Sequence, residues 1–335
     1  SSASFQKLTH LTVSSGQTAT VSSDQVGGDT LTLNGDGSTT IQVAQSSASG
    51  LNLAGLTNSG SGELNFSLTN GGDFSSISGL STIDKITASN GSVSIDTSDI
   101  DDLTLDFDGT SDVTVAVTAA QASGSTANLD NISSTGNGNL ILSLTDTGDF
   151  SGITGLDAIN SISAGNAVSF TSSNVTTNTI DFSGAGNVTV SMNTSDAGSV
   201  NYSSLTSTGG GDLILSMSGT SSDVSTLNGV GVFDTVLTSD AITFDSALLA
   251  GQTIDFSGDG NITISMSAAG TADFTNLTSS GSGTLSLTLG ATGDYSNVTG
   301  LGQFNSVTVD AGAVTVASSS LTGETVNFTG SQNVS

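Results

Sequence analysis

One phrase of alternating apolar and polar residues recurs along the chain and limits what the chain can fold into. It is clearest from Ile180 to Met192 and returns from Ile254 to Met266. Weaker copies begin at Leu31, Leu105 and Val326. The first glycine of each copy belongs to a series with intervals of about 74 residues: Gly35, Gly109, Gly184, Gly258 and Gly330. A long internal repeat of this kind predicts a stacked architecture rather than one compact core.

Each repeat holds more than one strand–turn–strand phrase. A second series has the glycine turns Gly60-Ser61-Gly62, Gly136-Asn137-Gly138, Gly209-Gly210-Gly211 and Gly281-Ser282-Gly283, and a third leads into strands at Val93, Val168, Ile242 and Val314. In the third copy the successive strand starts are Val188, Leu213, Ile242 and Ile262. Their mean interval of about 25 residues, with three coils to a repeat, is a reasonable length for a solenoid turn.

The predicted fold is all-β: a parallel β-helix, or β-solenoid, of roughly 25-residue coils with three coils per repeat of about 74 residues. It is predicted to run through residues 31–335, after a lead-in over residues 1–30 with short strands at Leu11–Val13 and Ala19–Val21. Proline, which would remove a donor from a parallel ladder, is absent. Glycine, asparagine and aspartate supply the corners. The crossover rule predicts a right-handed winding.

The two ends of the sequence carry a separate expectation. Ser1 opens the chain without a methionine or a signal-like region, which is typical of a processed piece. The last copy of the phrase stops in mid-repeat at Ser335. A solenoid cut there would expose a layer of unpaired strand groups. We therefore expect that Ser335 is not the natural terminus, or that another subunit docks on this layer.

The charge balance excludes several classes of function. The chain has 30 acidic residues, two lysines, no arginine and one histidine, His10, for a formal charge of -28. Nucleic-acid binding is excluded because it needs lysine and arginine against the phosphates. Cysteine is absent, which rules out disulfides, thiolate metal sites and cysteine nucleophiles. No apolar run reaches the roughly 18 to 20 residues of a membrane span.

Recurrent aspartates are the candidate metal ligands, and two explanations of them stay open. The residues are Asp73, Asp149, Asp223 and Asp294 in one recurring turn, and Asp106, Asp108, Asp112 and Asp259 around the glycine turns of the phrase. Turn aspartates commonly accept hydrogen bonds from their own backbone, and strand aspartates face solvent. Alternatively, carboxylates and turn carbonyls at a corner could supply the oxygens of a calcium site. The glycine- and aspartate-rich calcium nonapeptide of RTX proteins does not occur.

An aromatic residue stands in register in four copies of the phrase: Phe107, Phe182, Phe256 and Phe328, with Leu33 in the same slot. Its alternation with outward polar neighbours predicts an interior position. A stacking platform for sugar is the alternative.

The sequence offers few candidate catalytic residues, since arginine is absent and His10 has no repeated partner. We therefore expect that the protein is not an enzyme.

The chain resembles the repetitive, cysteine-free, Gly/Ser/Thr/Asn/Asp-rich surface proteins of Gram-negative bacteria, which include surface-layer (S-layer) proteins and giant adhesins exported by type I secretion. The resemblance covers residues 31–335 and rests on phrases such as Gly184 to Val190 and turns such as Thr147 to Phe150. It implies an extracellular location at the bacterial cell surface and calcium as a candidate ligand.

Two structural functions and one enzymatic function follow from these observations. The first is a non-enzymatic S-layer or surface-filament subunit whose partners are copies of itself, with cell-surface glycan as a further candidate partner. The second is the stalk of a secreted adhesin. The third is a β-helix that binds or processes polysaccharide. A lattice or filament subunit should make regular contacts between copies, whereas a stalk should be monomeric.

Overall fold

The structure is a computed structural model that describes residues 8–28, 30–124, 127–176, 178–219, 222–310, 312–322 and 325–335. The described residues form two compact units. The first comprises Ser1–Val168, as far as it is described, and Thr179–Gly184; the second comprises Ser169–Asn178 and Ala185–Ser335. Residues 1–7 of the predicted lead-in lie outside the described residues.

Short strands separated by turns make up most of both units. The strands are β1 (His10–Thr12), β2 (Thr18–Ser22), β3 (Leu31–Asn34), β4 (Ser38–Val43), β5 (Leu56–Asn58), β6 (Leu64–Leu68), β7 (Gly72–Asp73), β8 (Lys85–Ala88), β9 (Val93–Asp96), β10 (Leu105–Gly109), β11 (Val113–Val117), β12 (Ile132–Ser134), β13 (Leu140–Leu144), β14 (Gly148–Asp149), β15 (Ser161–Ala164), β16 (Val168–Thr171), β17 (Asp181–Ser183), β18 (Val188–Asn193), β19 (Thr206–Ser207), β20 (Leu213–Ser218), β21 (Thr235–Thr238), β22 (Ile242–Asp245), β23 (Ile254–Ser257), β24 (Ile262–Met266), β25 (Ala272–Asp273), β26 (Leu277–Ser279), β27 (Leu285–Leu289), β28 (Gly293–Asp294), β29 (Val298–Thr299), β30 (Ser306–Val309), β31 (Val314–Thr315) and β32 (Phe328–Thr329).

The helices are single turns at corners between strands. Among the described residues, four are α-helical: α1 (Ser23–Val26), α2 (Ala119–Ser123), α3 (Ser172–Val175) and α4 (Ser246–Leu249). The 3₁₀ turns are Gln45–Ser47, Leu80–Thr82, Thr97–Asp99, Leu156–Ala158, Thr194–Asp196, Val230–Val232, Leu301–Gln303 and Ser318–Leu321. Such short helices fix the direction of the chain at a corner but bury little surface of their own.

The first unit is built from parallel ladders. Its sheets have the strand orders β1-β3-β5, β2-β4-β6-β8-β10-β12 and β7-β9-β11-β13-β15-β17. Every neighbouring pair of strands in these orders is parallel. Strands β1 and β2 belong to the ladders, so regular pairing begins within the segment predicted as a lead-in. The predicted all-β fold with parallel strands is confirmed.

The second unit repeats this arrangement. It contains the strand runs β18-β20-β21-β23-β26 and β22-β24-β27-β30-β32, and the short pairs β25-β29 and β28-β31. All of these pairs are again parallel. Parallel neighbours cannot be joined by a tight hairpin, so each step of a ladder needs a longer crossover. Here the crossovers are corners and short strands of other sheets.

The register shows that the steps of a ladder differ in length. In the first unit the successive paired positions are Thr40, Asn65, Lys85, Asp106 and Ser133. The long step that ends at Ser133 includes α2, whereas the shorter step that ends at Asp106 turns through Thr97–Asp99. Most steps in both units are short ones. The predicted coil of about 25 residues is therefore too long for most of the ladder.

The sequence repeat and the ladder have different lengths. Three steps lead from Asn65 to Ser133, a shorter stretch of sequence than the one from Gly35 to Gly109. A repeat therefore covers more than the three steps that the sequence predicted. As a result, β4, which follows Gly35, and β11, which follows Gly109, lie in different sheets.

Apolar side chains alternate with polar ones along the strands and fill the interior. In β13 the three leucines are buried, and Ile141 and Ser143 between them are half-buried. Phe107, Phe182 and Phe256 are each 2% exposed, as the interior prediction requires. A buried ring cannot stack on a sugar, so the platform alternative is wrong for these three. Phe328 is only half-buried because β32 has a hydrogen-bonded neighbour, β30, on one side.

Glycine is required where one corner touches the next. Gly79 precedes the 3₁₀ turn Leu80–Thr82 with φ +80°, and a Cβ there would lie 2.2 Å from the backbone nitrogen of Ala54. The same left-handed glycine recurs before three other 3₁₀ turns, at Gly155, Gly229 and Gly300. Both the backbone angle and the close approach exclude a side chain at these positions.

Candidate functional site

The four turn aspartates predicted as metal ligands are part of one recurring corner. In each, a carboxylate oxygen accepts the backbone N–H of the residue two positions on; the pairs are Asp73 with Ser75 (2.9 Å), Asp149 with Ser151 (2.9 Å), Asp223 with Ser225 (2.9 Å) and Asp294 with Ser296 (2.8 Å). The residue between the two partners is buried in every case: Phe74, Phe150, Val224 and Tyr295. This corner is called the Asx corner below.

The Asx corner occurs a second time in each repeat, where sequence reasoning did not recognise it. Asn52, Asn128, Asn201 and Asp273 accept the N–H of Ala54, Asp130, Ser203 and Thr275 at 2.9, 3.0, 3.0 and 3.1 Å. The corner therefore needs an acceptor oxygen, which an uncharged asparagine supplies as well as an aspartate.

Hydrogen bonds keep several corner carboxylates ionised. Those from Ser75 lower the pKa of Asp73, and those from Ser296 lower the pKa of Asp294. The pKa of Asp223 is lowered by hydrogen bonds from Ser225, and that of Asp273 mainly by the Thr299 hydroxyl. Each of these bonds stabilises the charged form of the carboxylate.

Asp106 and Asp255, which precede the buried phenylalanines, bond to the next strand of their ladder. Asp106 accepts from the Ser133 hydroxyl (2.9 Å) and from the backbone N–H (3.2 Å) and hydroxyl (2.6 Å) of Thr135. Asp255 repeats this pattern with the Thr278 hydroxyl (2.7 Å) and with the N–H (3.1 Å) and hydroxyl of Ser280. These carboxylates already bind donors within the protein.

Of the remaining predicted ligands, Asp108 is the one that the structure brings close to Asp106. Both carboxylates face Lys85, whose Nζ lies 3.4 Å from Asp106 Oδ2 and 3.8 Å from Asp108 Oδ2. Asp112 Oδ1 accepts the N–H of Asn139 at 2.9 Å, and Asp259 is exposed in the turn between β23 and β24. Across the described ranges, no three acidic, histidine or cysteine side chains form a group that could hold a metal ion.

A second set of acidic and amide residues was missed by the sequence analysis. Each clamps the leucine that opens a strand, accepting its N–H with a side-chain oxygen and donating its own N–H to the leucine carbonyl. The pairs are Asp84 with Leu64, Asn160 with Leu140, Asp234 with Leu213 and Asn305 with Leu285. Their recurrence once per sequence repeat was the available signal. This arrangement is called the Asx clamp.

Charge is distributed unevenly between turns and sheet faces in the second unit. The outward side chains of β24, β27 and β30 are all hydroxyls: Thr263, Ser265, Ser286, Thr288, Ser306 and Thr308. This surface is called the β27 face. The outward side chains of β18, β20 and β21 are hydroxyls, the Asn193 amide, Ile214 and Leu237, the last of which is 39% exposed. Of the nearby carboxylates, Asp259 and Asp310 lie in turns, whereas Asp245 ends β22 and is paired with Ser265 at the edge of this face.

A shallow cavity of about 590 Å³ lies beside the turn that leads into β20. It is lined by Leu205 to Asp212, Val232 and Asp234. The Asp234 carboxylate belongs to the Asx clamp, so its Oδ2 is already bound to the Leu213 N–H. Asp212 is the second carboxylate of the lining, and the remaining residues are glycine, hydroxyl and aliphatic.

Comparison with known proteins gives no relative: no family model matches the chain, and neither the curated proteins nor the solved structures contain a significant match. Within the described part of the chain, the helices are all too short or too polar to span a membrane.

Proposed function

We propose that the protein is a non-enzymatic structural protein of the bacterial cell surface that associates with copies of itself into a surface layer or filament. The uncharged β27 face carries this proposal, because the chain has a formal charge of -28. Copies of so acidic a chain repel one another where carboxylates meet. Repulsion is smallest at a face from which no carboxylate projects, so copies can approach there.

The ladders of this subunit are proposed to wind as a right-handed β-solenoid. Strands that are neighbours in a ladder are parallel, and each lies one crossover further along the sequence than the last, which supports the proposal. A chain that returns to the same sheet in the same direction after each crossover is winding, and parallel crossovers are right-handed in nearly all proteins.

Imaging of the full chain tests the function. Negative-stain micrographs at moderate salt should show sheets or filaments. Thr288→Asp places a carboxylate at the centre of the β27 face and should disperse the assemblies, since an outward strand position tolerates the change in the monomer. Ser282→Asp adds the same charge in the exposed turn before β27 and should leave them intact. Assemblies that survive Thr288→Asp unchanged would contradict a contact at this face.

The stalk of a secreted adhesin is the second proposal, and the Asx clamps favour it. A side-chain bond repeated between successive strands stiffens a chain, which a spacer requires. The same micrographs separate the two functions, because a stalk gives isolated particles at every concentration. A glycan partner at the cell surface stays a prediction, and binding to purified surface polysaccharide would test it.

A further inference from the structure

Three corners of the chain share a device that closes a single helical turn. The side-chain oxygen of an amide residue accepts the backbone N–H of the residue three positions earlier, which caps the turn. The pairs are Gln25 with Ser22 (2.9 Å), Gln121 with Thr118 (2.7 Å) and Asn174 with Thr171 (2.9 Å). This reciprocal cap satisfies an N–H that the helical turn leaves unpaired.

The corner after β9 has two carboxylates where the other corners have an uncharged cap and an amide. Asp96 caps the turn Thr97–Asp99, and Asp99 stands three positions later. Asp96 Oδ1 accepts the Ser98 N–H (2.9 Å), the Ser98 hydroxyl (2.6 Å) and the Gln121 Nε2 (2.7 Å). Three donors therefore converge on one oxygen of Asp96.

Asp99 differs from Asp96 in its hydrogen bonding. Its Oδ2 is buried and has no hydrogen-bond partner. The neighbouring charge is that of Asp96, since β11, which packs against this turn, has no charged residue, and α2 contributes Gln121. Asp101 and Asp102, which follow, accept bonds from the Asn128 N–H and Nδ2. Burial, and then the charge of Asp96, raise the pKa of Asp99 from 3.8 to about 6.

We propose that the Asp96–Asp99 corner is a proton-operated switch, which is more stable in mild acid than at neutral pH. A proton taken from water neutralises Asp99 and removes the repulsion between its carboxyl group and the Asp96 carboxylate. The protonated oxygen becomes a donor that can face the Asp96 carboxylate. Without the proton, two negative groups stand in one turn and one buried oxygen is unpaired.

The direction of the pH effect follows from the raised pKa. A carboxyl whose pKa is higher in the folded chain stabilises the fold fully below its unfolded value, near 3.8, and that stabilisation is lost as the pH rises through about 6. The first unit should therefore become more resistant to unfolding when the pH falls from neutral toward about 5.

The test compares Asp99→Asn with Asp196→Asn. Asparagine supplies the amide permanently at position 99, so this variant should raise the Tm by about 1–3 °C at about pH 7.5 and by nearly nothing at about pH 5. Asp196 occupies the same place in the turn Thr194–Asp196, which Asn193 caps, so the same loss of charge occurs without a neighbouring carboxylate. Its variant should show no such difference between the two pH values.

A second variant and a direct readout keep the proposal testable if Asp99→Asn folds poorly. Asp96→Asn removes the neighbouring charge and should move the midpoint of the wild-type stabilisation to lower pH. Carbon-13 NMR should find the Asp99 carboxyl titrating near pH 6 in the wild-type chain. The proposal is overturned if Asp99 titrates near 4. It is equally overturned if Asp99→Asn fails to raise the Tm at neutral pH, or raises it equally at both pH values.

Discussion

Asp234 and Leu213 bind each other twice. The Asp234 carboxylate accepts the Leu213 N–H at 2.8 Å, and the Asp234 N–H donates to the Leu213 carbonyl at 2.9 Å. The two residues are 21 positions apart, which is one step of the ladder. The side chain therefore pairs the first N–H of β20, a group that the strand itself leaves unpaired.

Removing this acceptor should weaken the second unit. We expect Asp234→Ala to lower the free energy of unfolding by about 0.5–1.5 kcal/mol, because the Leu213 N–H loses its partner. Asp234→Asn should cost far less, since Asn160 and Asn305 fill the same role in other repeats. Denaturant unfolding of both variants gives the comparison. Equal losses would show that the charge of Asp234, rather than its acceptor oxygen, is what matters.

Two glycines with similar backbone angles separate the cost of conformation from the cost of contact. Gly79 (φ +80°) would place a Cβ 2.2 Å from the Ala54 nitrogen, whereas Gly50 (φ +72°) has nothing within 4 Å. Gly50→Ala should cost about 1 kcal/mol of unfolding free energy for the left-handed angle alone. Gly79→Ala should cost more, since the backbone of the neighbouring corner has to move. Denaturant unfolding would contradict this if the two losses were equal.

The contribution of Lys85 to stability should depend on the salt concentration. It lies between Asp106 and Asp108 on a partly exposed sheet face. Lys85→Met keeps the length of the side chain and removes the charge, and we expect a loss of about 0–1 kcal/mol at low salt. Added salt should shrink that loss, because it screens the two carboxylates from each other. Thermal unfolding at two salt concentrations measures it, and a loss that grows with salt would contradict the ion-pair account.

Strong acid should loosen the Asx corners. The pKa of Asp73 is lowered in the folded chain, so its contribution to stability is present above the unfolded value of 3.8 and is lost as the pH falls through the folded value. Asp73→Asn keeps an acceptor at this corner and should lose less stability than the wild type below about pH 4. Thermal unfolding across that range compares them. Parallel pH profiles for the two chains would exclude a role for Asp73 in acid sensitivity.

The prediction about calcium depends on the large negative charge of the chain. Bound cations would offset the repulsion among corner carboxylates, so calcium should raise the Tm and a chelator should lower it or dissolve the assemblies. Asp149→Asn and Asp294→Asn preserve their turns and should reduce the calcium effect if these corners bind the ion. Magnesium at the same concentration controls for charge screening. A Tm that responds to neither calcium nor chelator would remove calcium from the account.

The sequence predicts the parts of the fold that depend on local pattern. Period-2 alternation in segments such as Leu140–Leu144 indicates strands with one buried face, and a long repeat without hairpin signals favours parallel stacking. The length of a ladder step is not local in this sense. It depends on how many residues each corner uses, and corners as different as α2 and Thr97–Asp99 occupy equivalent places.

The candidate residues likewise divide into those whose partners are local in sequence and those whose partners lie one ladder step away. Asp73 and Asp294 were singled out because they recur in one turn, and their bonds lie within that turn. Asp84 and Asp234 were missed because their partners lie 20 and 21 residues back, at a position that only the step length defines. Asp99 gave no signal, since a helical corner of three residues is too short to show a helical apolar stripe.

The mismatch between repeat and ladder keeps like charges apart. Asp106 and Asp181 occupy the same place in successive repeats, yet they lie on β10 and β17 in different sheets. The positions paired with Asp106 are Lys85 and Ser133, and those paired with Asp255 are Thr235 and Thr278. If the repeat equalled a whole number of ladder steps, each duplication would have placed equivalent aspartates at the same position of one sheet, a few strand spacings apart. Because the sequence repeat is not a whole number of ladder steps, the chain can duplicate an acidic segment without aligning negative charges along one sheet.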